Sequence, residues 1–199
     1  AGDSGIMVGY ATRETSEMLP LEVVICKRVC DFLDIVRPQL EPDGKVQATI
    51  DGDKLKTLVV SVQGEPLFKS SLEELLRTKF PCEDLRLTIY EKGGFDADSG
   101  LTGRKNVLWY GPQVPTGGGA FAGKDPTKVD RSGAYYARFL AKKWLKDNPE
   151  EQKALVKIAF AIGKNEALMI TINGESGKEH LLGLKDYPIN TTVSSILED

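Results

Sequence analysis

The chain has 199 residues, 41% hydrophobic and 28% charged, as expected for one large or two small globular domains. A net charge of −3 argues against general binding to nucleic acid or an anionic membrane, and no apolar run reaches the roughly 20 residues that span a bilayer. The three cysteines, Cys26, Cys30 and Cys82, predict reduced thiols in a cytoplasmic protein, because an odd number suits no disulfide framework.

The first predicted elements are a helix and a hairpin. Apolar residues repeat every three or four positions from Pro20 to Val36, which predicts a helix with one buried face. Alternating residues from Val46 to Ile50, a turn at Asp51-Gly52 and a β-rich run from Leu55 to Val62 predict two antiparallel strands.

A second helix and a third strand follow. Ser71 and Glu74 have the spacing of a capping box, which predicts a helix opening at Leu72. The alternating run from Leu85 to Ile89 predicts a further strand.

The same order then recurs in the second half. Asp130 is placed to cap a helix whose apolar residues run from Ala134 to Leu145, and Asp147-Asn148-Pro149 predicts its end. The remaining predicted elements are strands at 155–162 and 168–172, a turn at 163–166 between them, and a short helix at 191–197.

Helix, strand, strand and helix therefore occur twice, which predicts an α+β protein built from two related modules. We expect each module to be a mixed or antiparallel sheet covered by helices on one face. The predicted domains are residues 1–90 and residues 91–199, and the second contains a long glycine-rich connection.

This connection, from Glu91 to Lys128, is too long and too poor in periodicity for an ordinary loop. Gly118, Gly123 and Lys124 match the phosphate-binding pattern G-x-x-x-x-G-K-S/T, but Asp125 occupies its Ser/Thr position. An ordinary P-loop is therefore not predicted. Glycine still lets backbone N–H groups approach an anion, and lysine supplies a positive charge.

Charged residues crowd the same region. The cations are Arg104, Lys105, Lys124, Lys128 and Arg131. The interleaved carboxylates are Asp96, Asp98, Asp125 and Asp130. Cations this dense repel one another unless they are solvated or bound to a polyanion. One interpretation is a solvated basic loop, and the other is a site for phosphate together with a divalent cation or an amine.

Several segments resemble S-adenosylmethionine synthetases (methionine adenosyltransferases). They are GDSGIMVGYAT, PDGKVQATI, GGFDADSGLTGRK, GGGAFAGKDPTKVDRSGAYYAR and AFAIG. The resemblance extends from Ala1 to about Ile172, and the triple glycine followed by KDPTKVDRS is its most specific part. It implies a fold of three similar α+β modules, with this sequence holding the central and C-terminal ones and largely lacking the first.

The resemblance also implies site residues. The implied ATP-binding residues are Asp43, Lys45, Tyr90, Asp98, Arg104, Lys105, Ala120 and Lys124. The implied methionine-binding residues are Asp3, Asp98 and Lys128. The implied catalytic residues are Lys124, Lys128, Arg104 and Asp130, and Asp130 is also the implied metal ligand.

The activity that the resemblance implies is synthesis of S-adenosylmethionine from ATP and L-methionine, with release and hydrolysis of tripolyphosphate. The implied cofactors are Mg²⁺ and K⁺. The implied assembly is a homodimer or homotetramer with its sites between subunits, and a separate chain carrying the first module is an expected partner.

The sequence departs from the family pattern in several places. Ile89 replaces an arginine, and Arg13 replaces an aspartate in the segment ATRET. The family's early His-Pro-Asp motif does not occur in this sequence. The chain is therefore expected to be a transferase completed by a first module, or a non-catalytic nucleotide-binding or regulatory subunit. An unrelated polyphosphate-binding module is a third alternative.

Simpler roles compete with the functional ones. Asp130 is also suited to plain helix capping, Asp98 and Asp3 to turns, and Tyr90 to a half-buried strand position. The single histidine, His180, lies in a polar run and is expected to be a solvated surface residue.

Overall fold

The computed structural model describes residues 2–36, 40–97, 105, 109–120, 122–174 and 179–181. Its elements in chain order are β1 (Gly5–Thr12), α1 (Leu21–Ile35), β2 (Leu40–Asp51), β3 (Lys54–Gly64), α2 (Lys69–Lys79), β4 (Asp84–Tyr90), α3 (Gly94–Ala97), α4 (Val129–Asp147), β5 (Lys153–Phe160), β6 (Met169–Asn173) and β7 (Glu179–Leu181). None of the helices in the described ranges is long and apolar enough to cross a membrane.

The chain forms two compact units. One unit is continuous, Leu21–Leu101, and the other combines Ala1–Pro20 with Thr102–Asp199. The predicted boundary after residue 90 divides the chain along its sequence, whereas these units group residues in space. We call them the continuous unit and the discontinuous unit.

The continuous unit is a three-stranded sheet in the order β2-β3-β4. Strands β2 and β3 form the predicted antiparallel hairpin, turning at Gly52, and β4 pairs with β3 in parallel. Every second residue of β3 is buried, at Leu58, Val60 and Val62. Helices α1 and α2 cover this face, with Phe32 and Leu76 in the same cluster, so the expectation of helices on one face is confirmed.

The predicted capping box of α2 is wrong. Helix α2 begins at Lys69, and the Ser71 hydroxyl donates to the carbonyl of Phe68 at 3.0 Å instead of capping the helix. A 3₁₀ turn, Pro66–Phe68, leads directly into the helix, and the Lys69 N–H donates to the carbonyl of Pro66. This turn occupies N–H groups that a serine cap would otherwise satisfy.

The discontinuous unit is a fully antiparallel sheet in the order β1-β5-β6-β7. Helix α4 covers one face, where Met7 and Ala11 meet alternate buried residues of β5 and β6. A side-chain carbon at Gly9 would overlap the backbone of Ala137, so glycine is what allows β1 and α4 to pack this closely. The two predicted strands correspond to β5 and β6, whereas β1 was not predicted.

Helix α4 ends where the Asp147-Asn148-Pro149 segment predicts, but its start differs. Lys128 is the N-cap residue, its backbone is extended, and no side chain caps the helix. Asp130 is the second helical residue, so its predicted role as the cap is wrong. The predicted helix at 191–197 lies outside the described residues.

Two further expectations have clear outcomes. All three cysteines are free thiols, as predicted. The solvated surface position expected for His180 is wrong, because β7 pairs with β6 and brings the half-buried imidazole against Trp144, with ring centroids 5.3 Å apart.

Candidate functional site

The triple glycine lies against the start of β1 in the discontinuous unit. The Gly118 N–H donates to the carbonyl of Ile6 at 3.0 Å. A side-chain carbon at Gly117 would lie 2.6 Å from the same carbonyl oxygen. The glycines therefore bring the loop backbone into direct contact with a strand, which a bulkier residue at 117 would prevent.

Asp130 and Lys124 form an ion pair beside this loop. The Lys124 ammonium donates to Oδ2 of Asp130, and the two side chains are 37% and 11% exposed. A side-chain carbon at Gly119 would overlap the Asp130 carboxyl group. A carboxylate in the first turn of a helix is also favoured by the helix dipole. Loop, helix and ion pair thus meet at one carboxyl group.

The segment between the two lysines is a turn organised by Asp125. Its Oδ1 accepts hydrogen bonds from the hydroxyl of Thr127 and from the Thr127 N–H, the latter at 2.8 Å. These bonds favour the ionised carboxylate and lower the pKa of Asp125. The Lys128 N–H donates to the Asp125 carbonyl at 3.2 Å, and the Lys128 side chain is exposed.

Asp3 lies at the same end of the sheet as the glycine loop. Its Oδ1 accepts a hydrogen bond from the Ser4 N–H at 2.7 Å, and Ser4 Oγ accepts one from Ile162 N–H at 2.9 Å. Gly133 of α4 packs nearby, where an added carbon would meet Phe160 and Met7. Asp3 is exposed, so the structure brings it to this end of the unit without burying it.

The other predicted residues of the connection are less clustered. Ala120 is half-buried beside the glycines, and Lys105 is exposed. Arg104 and Asp98 lie outside the described residues. The guanidinium of Arg131 lies over the Tyr135 ring, 5.5 Å from its centroid. The predicted convergence of all five cations on one anion therefore remains a prediction.

A second cluster lies in the continuous unit and contains three of the predicted ATP-binding residues. Asp43 Oδ2 accepts a hydrogen bond from the Gly94 N–H at 2.9 Å, and the Tyr90 hydroxyl donates to the same carboxylate. Lys45 follows Asp43 by two positions on β2 and adds a favourable charge. The structure thus brings Asp43, Lys45 and Tyr90 together, and their role in ATP binding stays a prediction.

The hydrogen bonds in this cluster change two pKa values. The Gly94 N–H, followed by the Tyr90 hydroxyl, lowers the pKa of Asp43, because both stabilise the ionised carboxylate. Burial, with the hydrogen bond to Asp43, raises the pKa of Tyr90. Gly93 completes the cluster, since an added carbon would lie 2.5 Å from the Tyr90 ring and 2.8 Å from Asp43 Oδ2.

The two substituted family positions have structural explanations. Ile89 packs against the core of the continuous unit, on the face of β4 that the helices cover. The Arg13 guanidinium lies at the C-terminal end of α4, where Nε donates to the Glu151 carbonyl at 2.8 Å and a terminal nitrogen donates to the Leu145 carbonyl. A cation at this end of a helix is stabilising.

Sequence reasoning missed Arg138, which anchors the segment after β1. Its guanidinium donates to the carbonyls of Met18 at 2.8 Å and Glu17 at 2.7 Å, and it also reaches the carbonyl of Tyr10. Burial lowers the pKa of Arg138. An arginine next to the apolar residues of α4 is the sequence signal that could have indicated such a role. Arg138 also lines a cavity of about 220 Å³ next to Gly117.

The described residues contain no preformed cluster of metal ligands. No group of three or more His, Cys, Asp or Glu residues lies close enough in the described ranges to hold a metal ion. Mg²⁺ is commonly held by one or two carboxylates together with substrate phosphates. Asp130, mostly buried beside Lys124, fits this shared mode of binding.

Comparison with known proteins identifies the family. The model of the S-adenosylmethionine synthetase central domain matches residues 1–91, and that of the C-terminal domain matches residues 92–198. The chain belongs to the S-adenosylmethionine synthetase family. The alternative of an unrelated polyphosphate-binding module is therefore wrong.

Individual S-adenosylmethionine synthetases support this assignment. An S-adenosylmethionine synthase of Thermus thermophilus is 43% identical, over 86% of this chain and 50% of its own length. That of Nitratiruptor sp. is 42% identical, over 87% of this chain and 51% of its own length. This chain thus spans about half the length of the curated relatives it matches.

A solved relative supports the fold. The structure of an unusual S-adenosylmethionine synthetase from Campylobacter jejuni matches with a TM-score of 0.73 and 33% identity. The match covers 86% of this chain and 52% of that one. The predicted α+β fold of S-adenosylmethionine synthetases, with mixed and antiparallel sheets, is confirmed.

Proposed function

We propose that this chain supplies the central and C-terminal modules of a cytoplasmic methionine adenosyltransferase. The reaction joins ATP and L-methionine to form S-adenosylmethionine, then hydrolyses the tripolyphosphate that is released. The observation that supports this most directly is the Lys124–Asp130 pair beside the triple glycine, in a family whose curated relatives are named S-adenosylmethionine synthases.

The chemistry requires a cationic site for the leaving group. The methionine sulfur attacks C5′ of ATP, the C5′–O bond breaks, and the whole triphosphate leaves with its bonding electrons. Negative charge builds on that oxygen, so cations held in place beforehand lower the barrier. Lys124, Lys128 and Arg104 are proposed for this role, and the paired Lys124 still has two ammonium protons for phosphate oxygens.

The remaining proposed substrate contacts include residues of both units. Asp43, Lys45 and Tyr90 of the continuous unit are proposed to bind ATP, with the Tyr90 ring stacking on adenine. The other proposed ATP-binding residues are Asp98, Arg104, Lys105, Ala120 and Lys124. The proposed methionine-binding residues are Asp3, Asp98 and Lys128.

Magnesium and potassium are the proposed cofactors. Asp130 would hold Mg²⁺ together with substrate phosphates, and the bound ion would neutralise charge on the triphosphate. Potassium is proposed on the family resemblance alone, without an assigned ligand.

A homodimer or homotetramer is proposed as the assembly. Helix α4 covers one face of the sheet of the discontinuous unit. On the opposite face Ile6, Met169 and Leu181 are 49%, 41% and 74% exposed. Exposed apolar side chains on this face support association with a second copy.

The decisive experiment mixes this chain with ATP, L-methionine, Mg²⁺ and K⁺, with and without a chain bearing the family's first module. Formation of S-adenosylmethionine is measured by chromatography. Product in either mixture supports the transferase, and product only with the added chain supports a split enzyme. No product in both mixtures, with nucleotide binding intact, would favour the alternative of a non-catalytic binding or regulatory subunit.

A further inference from the structure

The contact between Gly119 and Asp130 links the loop to the ion pair. Asp130 as a whole residue is only 8% exposed. Its carboxyl group occupies the space where a side chain at position 119 would lie. The same carboxyl group holds the Lys124 ammonium through Oδ2. A larger residue at 119 would therefore move Asp130 first and Lys124 through it.

The three glycines differ in what surrounds them. Around Gly118 nothing lies within 4 Å of an added side-chain carbon, whereas at Gly119 such a carbon meets the Asp130 side chain. Neither residue has a backbone angle that only glycine adopts easily. An added carbon therefore distinguishes the two positions by its contact with one carboxyl group.

We propose that Gly119 is a positioning residue: by leaving room for the Asp130 carboxyl group, it fixes the position of the Lys124 ammonium. An ammonium group has three donors, and Asp130 occupies one of them, which leaves two for an anion. A lysine held in place beforehand loses less side-chain entropy on binding than a free one. Gly119 thus prepares Lys124 for polyphosphate, and this role rests on the proposed function of the loop.

The matched variants Gly119→Ala and Gly118→Ala test the proposal, with inorganic tripolyphosphate as the probe and calorimetry as the measurement. Gly119→Ala is expected to weaken tripolyphosphate binding about tenfold, the size of a lost charged hydrogen bond. Gly118→Ala is expected to weaken it much less. Equal affinities for the two variants would overturn the proposal.

A double-mutant cycle tests whether the effect passes through Asp130. In an Asp130→Ala background the two closest contacts, with Oδ1 and with Cγ, are removed and only the contact with Cβ at 2.9 Å remains, so Gly119→Ala should cause a much smaller further loss of tripolyphosphate affinity. An undiminished loss there would mean that Gly119 acts on the loop backbone, and the proposal would be wrong.

The Lys124 ammonium provides a readout that needs no ligand. Its ¹⁵N signal in nuclear magnetic resonance should show slowed proton exchange in the wild type and in Gly118→Ala, and fast exchange in Gly119→Ala. Slowed exchange retained in Gly119→Ala would overturn the proposal. If the wild type bound no tripolyphosphate, the proposed function would fail, while the ammonium signal would still decide the role of Gly119.

Discussion

Two clusters hold a carboxylate in a similar way but with different partners. The Asp43 cluster contains Asp43, Tyr90, Gly93 and Gly94, and the Asp130 cluster contains Gly119, Lys124 and Asp130. In both, a carboxylate lies against a glycine whose added side-chain carbon would meet it, Gly93 in one and Gly119 in the other. Asp43 is held by neutral donors, the Gly94 N–H and the Tyr90 hydroxyl. Asp130 is held by the Lys124 ammonium. The first arrangement fixes a neutral aromatic ring and the second fixes a cation.

This difference fits different parts of a nucleotide. A ring held by a hydrogen-bonded hydroxyl offers a flat surface for a base, and a held ammonium offers charge for phosphates. The comparison predicts that substitutions in the Asp130 cluster change anion binding, whereas those in the Asp43 cluster change stability and base binding.

The largest expected effect follows from removing the held cation. Lys124→Ala should weaken tripolyphosphate binding by about 10- to 100-fold, because a charged hydrogen bond contributes about 1.5–3 kcal/mol. The unfolding temperature should change little, since Asp130 still lies in the first turn of α4. Calorimetry and thermal unfolding measure the two quantities.

Lys143→Ala is the matched control, because Lys143 also pairs with an aspartate, Asp147 at 3.0 Å, but at an exposed site on α4. It should leave both affinity and unfolding temperature nearly unchanged. Losses of folding and binding in equal measure for Lys124→Ala would contradict the assigned role.

A smaller effect is expected from filling the space at Gly93. Gly93→Ala should lower the free energy of unfolding by about 1–3 kcal/mol, the usual cost of overpacking, because the added carbon would lie 2.5 Å from the Tyr90 ring. Chemical denaturation measures the change. Gly119→Ala should cost less stability but more tripolyphosphate affinity, and the reverse order would break the comparison between the clusters.

The smallest effect concerns the pH dependence of Asp43. Its pKa is below the ordinary 3.8, so its hydrogen bonds stabilise the fold above that pH, and this stabilisation is lost as pH falls through the lowered value. Asp43→Asn should therefore flatten the decline of stability below about pH 4. The change is small because the carboxyl group is only partly buried, so solvent weakens these interactions. Parallel pH profiles of the two proteins would show that the lowered pKa does not affect stability.

Local sequence patterns predicted the elements whose neighbours are close in the chain. The hairpin turning at Gly52 and the end of α4 at Asp147 depend on short segments, and both were found. Strand β1 was missed because residues on both of its faces are buried, so GIMVGYAT lacks the alternation that identifies a strand. The family resemblance supplied Asp43 and Tyr90, which lie far apart in sequence.

The missed features depend on competing local partners or on partners far away in the sequence. Ser71 and Asp130 are residue types that often cap helices. The Ser71 hydroxyl donates to the Phe68 carbonyl instead, and the Asp130 carboxylate accepts from Lys124. The steric effect of Gly93 depends on Asp43. Arg13 donates hydrogen bonds to carbonyls more than 130 residues away. The spacing of residues along the sequence does not reveal such contacts.

The discontinuous unit has a consequence for biosynthesis. Strand β1 pairs with β5, from Gly5 opposite Phe160 to Thr12 opposite Lys153, so the ribosome makes it long before its partner exists. The continuous unit, whose strands and helices are near neighbours along the chain, is complete by then. During translation β1 must therefore stay unpaired while the inserted segment folds, which makes this strand a point where a chaperone would act.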